Sequence, residues 1–229
     1  MSTFLEICQD TASEAGFIDN TTDLVSVVNQ SSMLGKTVRW VREAWTDIQR
    51  EKSHWKFQHG TFNVTLSNGV QIYDATTLNV TRLNRWVTNK KVWIHDKSIG
   101  LGDETELKFL PYDEFRARFN YGTSASDTGR PTFYTVEPDN ELAFYPTPNA
   151  EYGVRGTYYK SAQILTANTD VPDMPEDYHS LIKWCALEKY AGYDEANSQI
   201  QYWLSQKKMV KSDLVRDQLQ EIKLGGALS

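Results

Sequence analysis

Four histidines, His54, His59, His95 and His179, are the first residues to examine for chemistry. No two of them stand in an HExxH frame, the spacing that puts paired imidazoles on one helix face for a zinc ion. His54 and His59 straddle the exit from a helix into a strand, which is poor ligand geometry, and all four read as surface or packing residues. The acidic neighbours Asp103/Glu104, Asp113/Glu114 and Glu176/Asp177 raise the question of glycosidase carboxylates, which must flank one bond from two sides. Adjacent side chains diverge on strands and helices alike, so caps and solvated faces explain these pairs better. Gly100 and Gly102 in SIGLGDE lack the third glycine, the GK[ST] and the long following helix of a phosphate loop, and mark a turn. There is no GxSxG, and neither Cys8 nor Cys185 has a basic cluster that would activate a thiolate. No residue is therefore assigned a catalytic, metal or cofactor role.

The aromatic group Phe133, Tyr134, Phe144, Tyr145, Tyr152, Tyr158 and Tyr159 is a stronger signal. It fits either a platform for a sugar or protein, or a β core filled by alternate members. The chain's 229 residues can bury a substantial core, and 40% hydrophobic with 24% charged residues is a globular composition. A net charge of −6 and the lack of any Lys/Arg block argue against free-standing nucleic-acid binding, which needs a basic face. The opening MSTFLEICQDTASEAGF has no basic stretch followed by a continuous apolar one, and no window approaches eighteen uninterrupted apolar residues. Neither secretion nor membrane insertion is expected, and folding in a cytoplasm is. Cys8 and Cys185 sit on apolar helical stripes and are expected as free buried thiols.

The elements that carry these residues follow from hydrophobic period. Phe4, Leu5, Cys8 and Ala12 predict a short amphipathic helix ended by Gly16, with a loop around Asn20 after it. Leu34, Val38, Val41, Trp45 and Ile48 share one face of a second helix ending near Ser53, and Trp55 and Phe57 anchor the chain that leaves it. From Thr61 the period is two. Phe62, Val64 and Leu66, the turn Ser67-Asn68-Gly69, then Val70 and Ile72 predict a hairpin. Further strands are expected over Lys91–His95, Glu106–Leu110, Thr132–Glu137, Glu141–Tyr145 and Tyr152–Tyr159, with a turn at Pro138-Asp139-Asn140. Pro111 can open a short helix with Phe115 and Phe119 on one side, and TSASDTG (123–129) reads as a small polar loop.

Helical period returns after Val171. Pro175, Glu176 and Asp177 suit a first turn, Tyr178, Leu181, Ile182 and Cys185 form one stripe, and Trp184, Leu187 and Ala191 form a second. A helix apolar on more than half its circumference belongs at the centre of a bundle. After a break at Gly192–Asp194, Ala196, Ile200, Trp203, Leu204 and Val210 predict a last helix, followed by the tail KLGGALS. The expected organisation is a helical domain from residues 1–58 and 169–211, a β domain at 59–168 inserted within it, and a C-terminal tail at 212–229.

Three passages resemble the head-to-tail adaptor (head-completion or connector) proteins of tailed bacteriophages: VRWVREAWTDIQREKSHWKF (38–57), RPTFYTVEPDNELAFYPTPNAEYGVRGTYYK (130–160) and DVPDMPEDYHSLIKWCALEKYAGYDEA (170–196). Their order and spacing carry the resemblance. It implies an α+β fold, a helical bundle built from both chain ends with an inserted antiparallel β-sandwich or barrel-like domain. It implies a structural virion protein at the head-tail interface, a ring of twelve copies under the portal protein. The ring receives the tail or the next neck protein and lets genomic DNA pass without sequence-specific binding. An acidic chain suits such a lumen, since phosphates then slide instead of sticking.

In that family the C-terminal segment reaches into the portal. Here the corresponding residues are Leu214, Leu219, Ile222, Leu224, Gly225, Gly226 and Leu228, in a segment that would gain order on assembly. The bundle core would be Val38, Val41, Trp45 and Ile48 against Tyr178, Leu181, Ile182 and Cys185. No enzyme activity, cofactor or membrane contact is expected. The competing reading is a carbohydrate- or receptor-binding tail module that uses the β-domain tyrosines.

Overall fold

Thr3 starts the first helix, α1 (Phe4–Glu14). Its hydroxyl accepts the Glu6 N–H at 3.3 Å while the Glu6 carboxylate accepts the Thr3 N–H at 2.7 Å, a reciprocal cap that satisfies two orphan donors. The computed structural model describes residues 2–19, 24–52, 54–194 and 197–219. Over these residues the fold is mixed α/β with five α-helices. The chain divides into two compact units, the described parts of Met1–Gln58 with Ala162–Ser229, and His59–Ser161.

The first unit holds α1, α2 (Ser32–Glu51), α4 (Ser180–Asp194) and α5 (Asn197–Gln218); α3 (Tyr112–Phe119) belongs to the second. Phe4, Ile7 and Cys8 of α1, Val38, Val41, Trp45 and Ile48 of α2, Leu181, Ile182 and Leu187 of α4, and Trp203 and Leu214 of α5 lie in one buried cluster. Tyr178 and Cys185 are half-buried against it. Helix α4 touches α1, α2 and α5, which is why its two apolar stripes leave it little polar face. A 3₁₀ turn over Glu176–Tyr178 precedes it, so Pro175 opens that turn, and α-helical bonding begins only at Ser180. The break expected at Gly192–Asp194 does not fall there, because α4 stays helical through Asp194; residues 195–196 lie outside the described residues.

The stretch after residue 161 packs with the helices, where the sequence places it in the β domain up to 168. Its backbone is tied there. Gln49 donates to the Gln163 carbonyl at 3.0 Å and accepts the Gln163 N–H at 2.7 Å, and Arg42 donates to the Leu165 carbonyl at 2.8 Å. Such reciprocal amide bonds let a non-helical segment enter a core without orphaned polar groups. Helix α5 likewise continues past Lys211 to Gln218, because Leu214 is fully buried and the Gln218 side chain accepts the Phe57 N–H at 3.2 Å.

The second unit is built on a curled sheet that forms half a barrel. Its strands are β1 (His59–Leu66), β2 (Ile72–Tyr73), β3 (Leu83–Trp86), β4 (Val92–Asp96), β5 (Thr105–Phe109), β7 (Phe133–Val136), β8 (Leu142–Tyr145) and β10 (Tyr152–Lys160). The order is β1-β10-β4-β5-β7-β8-β2, with β3 also on β10; β6 (Thr128–Gly129) and β9 (Thr147–Pro148) form a separate parallel pair. The long Tyr-rich β10 is the spine, pairing along one edge with all of β1 from His59↔Tyr159 to Leu66↔Tyr152, and along the other with β3 and β4. The expected antiparallel sandwich or barrel is thus corrected in part. There is one main sheet, and β5 and β7 run parallel because α3 and the loop after it carry the chain back to the same end.

The hairpin expected at Ser67-Asn68-Gly69 does not form. β1 pairs with β10 and β2 with β8. A two-residue type I′ turn needs positive φ at both central residues, and only Gly69 has it, at +77°. The Gly69 N–H instead donates to the Pro148 carbonyl at 2.7 Å, and the Tyr73 hydroxyl accepts the Ser67 N–H at 2.7 Å, which fixes a corner between two strands. At Pro138-Asp139-Asn140 the turn does join paired strands, β7 and β8, with Asn140 at φ +71°.

Candidate partner-binding surfaces

Residues with catalytic potential are dispersed by the fold. The ring of His95 lies over Gly153, and His179 is buried with Nε2 2.9 Å from the Met174 carbonyl. Burial pushes the Cys8 thiol up and the Cys185 thiol up to about 11, so both stay protonated at neutral pH, and both are free. Asp103, at the end of a 3₁₀ turn, and Glu104, which caps it, point to different partners, Asp103 pairing with Arg130 at 2.6 Å and Glu104 with Arg155. Asp113, Glu114, Glu176 and Asp177 occupy first turns. Among the described residues one acidic group converges, Glu137, Asp139 and Glu141 at the β7–β8 turn. Partial burial and its two carboxylate neighbours push Glu137 up, the behaviour of crowded carboxylates at a turn.

The aromatic group resolves largely into core. Tyr134, Phe144, Tyr152 and Tyr158 are buried, and Phe133, Tyr145 and Tyr159 are half-buried. Phe119 of α3 stacks on Tyr145 at 3.8 Å between ring centroids, and the Tyr145 hydroxyl donates to Asp127 at 2.5 Å. Four of the seven are thus core and none is fully exposed, which favours core filling over a tyrosine sugar platform.

Contact surfaces remain. In the helical unit α2, α4 and α5 meet at a cleft of about 620 Å³ floored by Ile48, Leu181 and Cys185. Its rim is closed by three ion pairs, Lys189–Asp47 at 2.7 Å, Lys207–Glu188 at 2.5 Å and Lys211–Glu51 at 2.7 Å. In the sheet unit the β4–β5 turn exposes Ile99 and Leu101, 68% and 63% accessible, two apolar side chains on one tip. Arg130 holds the base of this tip, donating to the Asp103 carboxylate and, at 2.7 Å, to its carbonyl, and at 2.9 Å to Thr105. That role was invisible in sequence, because Arg130 and Asp103 are far apart along the chain. Of the residues expected to meet a portal, Leu214 is buried inside the helical unit and Leu219 is half-buried against it. Ile222, Leu224, Gly225, Gly226 and Leu228 lie outside the described residues.

Residues 2–223 match the family model of the SU10 adaptor protein, and the chain belongs to that family. It is therefore a structural protein of the bacteriophage virion, of the adaptor class, whose membership points to portal and tail proteins as partners. No curated protein matches the chain. No helix among the described residues is long and apolar enough to cross a membrane.

Proposed function

We propose that this chain is a head-to-tail adaptor that forms a ring, of twelve copies, under the portal. It joins the portal to the tail or the next neck protein at the neck of the virion and lets DNA pass through its lumen on ejection. The observation that carries this reading is the family match over residues 2–223. The two terminal segments of the chain make the helical bundle, which gives a rigid body with α4 as its spine, and the β unit is the insertion. The net charge of −6 per chain supports a lumen that repels phosphate, so DNA crosses without being held. The segment after Leu219, with Ile222, Leu224 and Leu228, supplies the portal contact.

The test is the mass of the purified chain, alone and with its portal, by light scattering coupled to size exclusion. The full chain is compared with one ending at Leu219, which keeps every described residue. A multi-copy complex for the full chain and none for the shortened chain is expected. A full chain that ignores the portal sinks the reading.

A further inference from the structure

The half-barrel sheet has two open edges, and among the described residues neither is covered by another strand. One edge is β1, paired on its other side with β10 over eight consecutive residues without a bulge. The other is β2, paired only with β8. Unpaired edges of soluble proteins usually carry protection: lysines, proline, a bulge or extreme shortness. β1 carries none of these in its own sequence; the Lys97 ammonium reaches the Thr65 hydroxyl at 2.9 Å from outside the strand. Its sequence HGTFNVTL contains no Lys, Arg, Asp, Glu or Pro, and at about 3.3 Å per residue it offers an edge of roughly 26 Å. The other edge belongs to a strand of only two residues, but it too is uncharged from Gly69 to Tyr73, and it exposes Val70 and Ile72, 39% and 43% accessible. The two edges cannot satisfy each other within one chain by a tight hairpin, because Gly69 and Tyr73 lock the corner between them.

Resting on the ring reading above, we infer that neighbouring copies join edge to edge, β1 of one chain accepting the Val70–Tyr73 edge of the next. Each copy then carries one acceptor and one donor. Such a heterologous contact repeats from copy to copy and closes when the rotation allows, whereas β1 against β1 would stop at a dimer. Main-chain bonds supply the pairing and Val70 and Ile72 the apolar contact, as in other strand additions. Thr61, Asn63 and Thr65 are the exposed residues of β1 and Ile72 that of β2, so these positions are the ones to cross-link.

The experiment uses three double variants, each with Ile72→Cys and one of Thr61→Cys, Asn63→Cys or Thr65→Cys, oxidised as the concentrated free chain and with the portal, then run on non-reducing gels. One of the three should give a ladder extending beyond dimer, absent from each single variant and from the unsubstituted chain. A dimer from a β1 cysteine alone points to β1–β1 pairing and overturns the inference, as does a cross-link confined within one chain. No ladder in either sample also overturns it. Portal binding is scored separately by mass, so a multi-copy portal complex without a ladder rejects the edge contact and leaves the adaptor reading standing.

Discussion

Gly60, Gly153 and Gly156 each lie under a ring from the strand opposite: Tyr158, His95 and Phe62. A Cβ on Gly156 would come within 2.7 Å of Phe62 Cζ and 3.2 Å of Val92 Cγ2, and Phe62 is buried and held edge-on by Trp86 at 5.2 Å. The ring covers the glycine backbone and leaves no room for a methyl group. Gly156→Ala should destabilise the β unit by about 1–3 kcal/mol in urea unfolding. Arg130 supplies a pH signature. Its hydrogen bond holds the Asp103 carboxyl below the usual carboxylate range, with a further contribution from the Asp96 N–H. A depressed folded-state value contributes stability above the unfolded value of about 3.9 and loses it as pH falls through the folded one. Arg130→Gln should therefore lower stability at neutral pH and flatten its fall below about pH 4, measured as denaturation midpoint against pH.

Helix α4 shows how far an element can be read from its own pattern. Two apolar stripes on one short helix already demand several neighbours, and the structure supplies α1, α2 and α5. Leu181 is 1% exposed, so Leu181→Ala should cost about 2–5 kcal/mol by chemical denaturation, and a cost near zero would contradict its place in the core. The sheet was less legible at this scale. Most of its strands announced themselves by alternation, yet the Asn-Gly signal after β1 pointed to the wrong neighbour. Alternation encodes which face is buried; it carries no information on which of several compatible strands will pair.

At the scale of the molecule, the end of α5 decides how the tail can be studied. Leu214 and Gln218 are buried in the helical unit, so a chain ending at Lys211 loses core along with tail. It should melt below the full chain, whereas a chain ending at Leu219 should melt within a few degrees of it, a comparison made by calorimetry. The sequence by itself determined the alternation of helical and strand segments, the apolar face of each helix, the acidic charge and the family resemblance. All of these reside in residue type and short-range spacing. Tertiary structure alone decided that 162–168 packs with the helices, that Arg130 braces the Ile99/Leu101 tip, that Tyr134, Tyr152 and Tyr158 are core, and that the sheet ends in two open edges. Each depends on partners tens of residues away, brought together by burial and hydrogen-bond satisfaction, which no local pattern records.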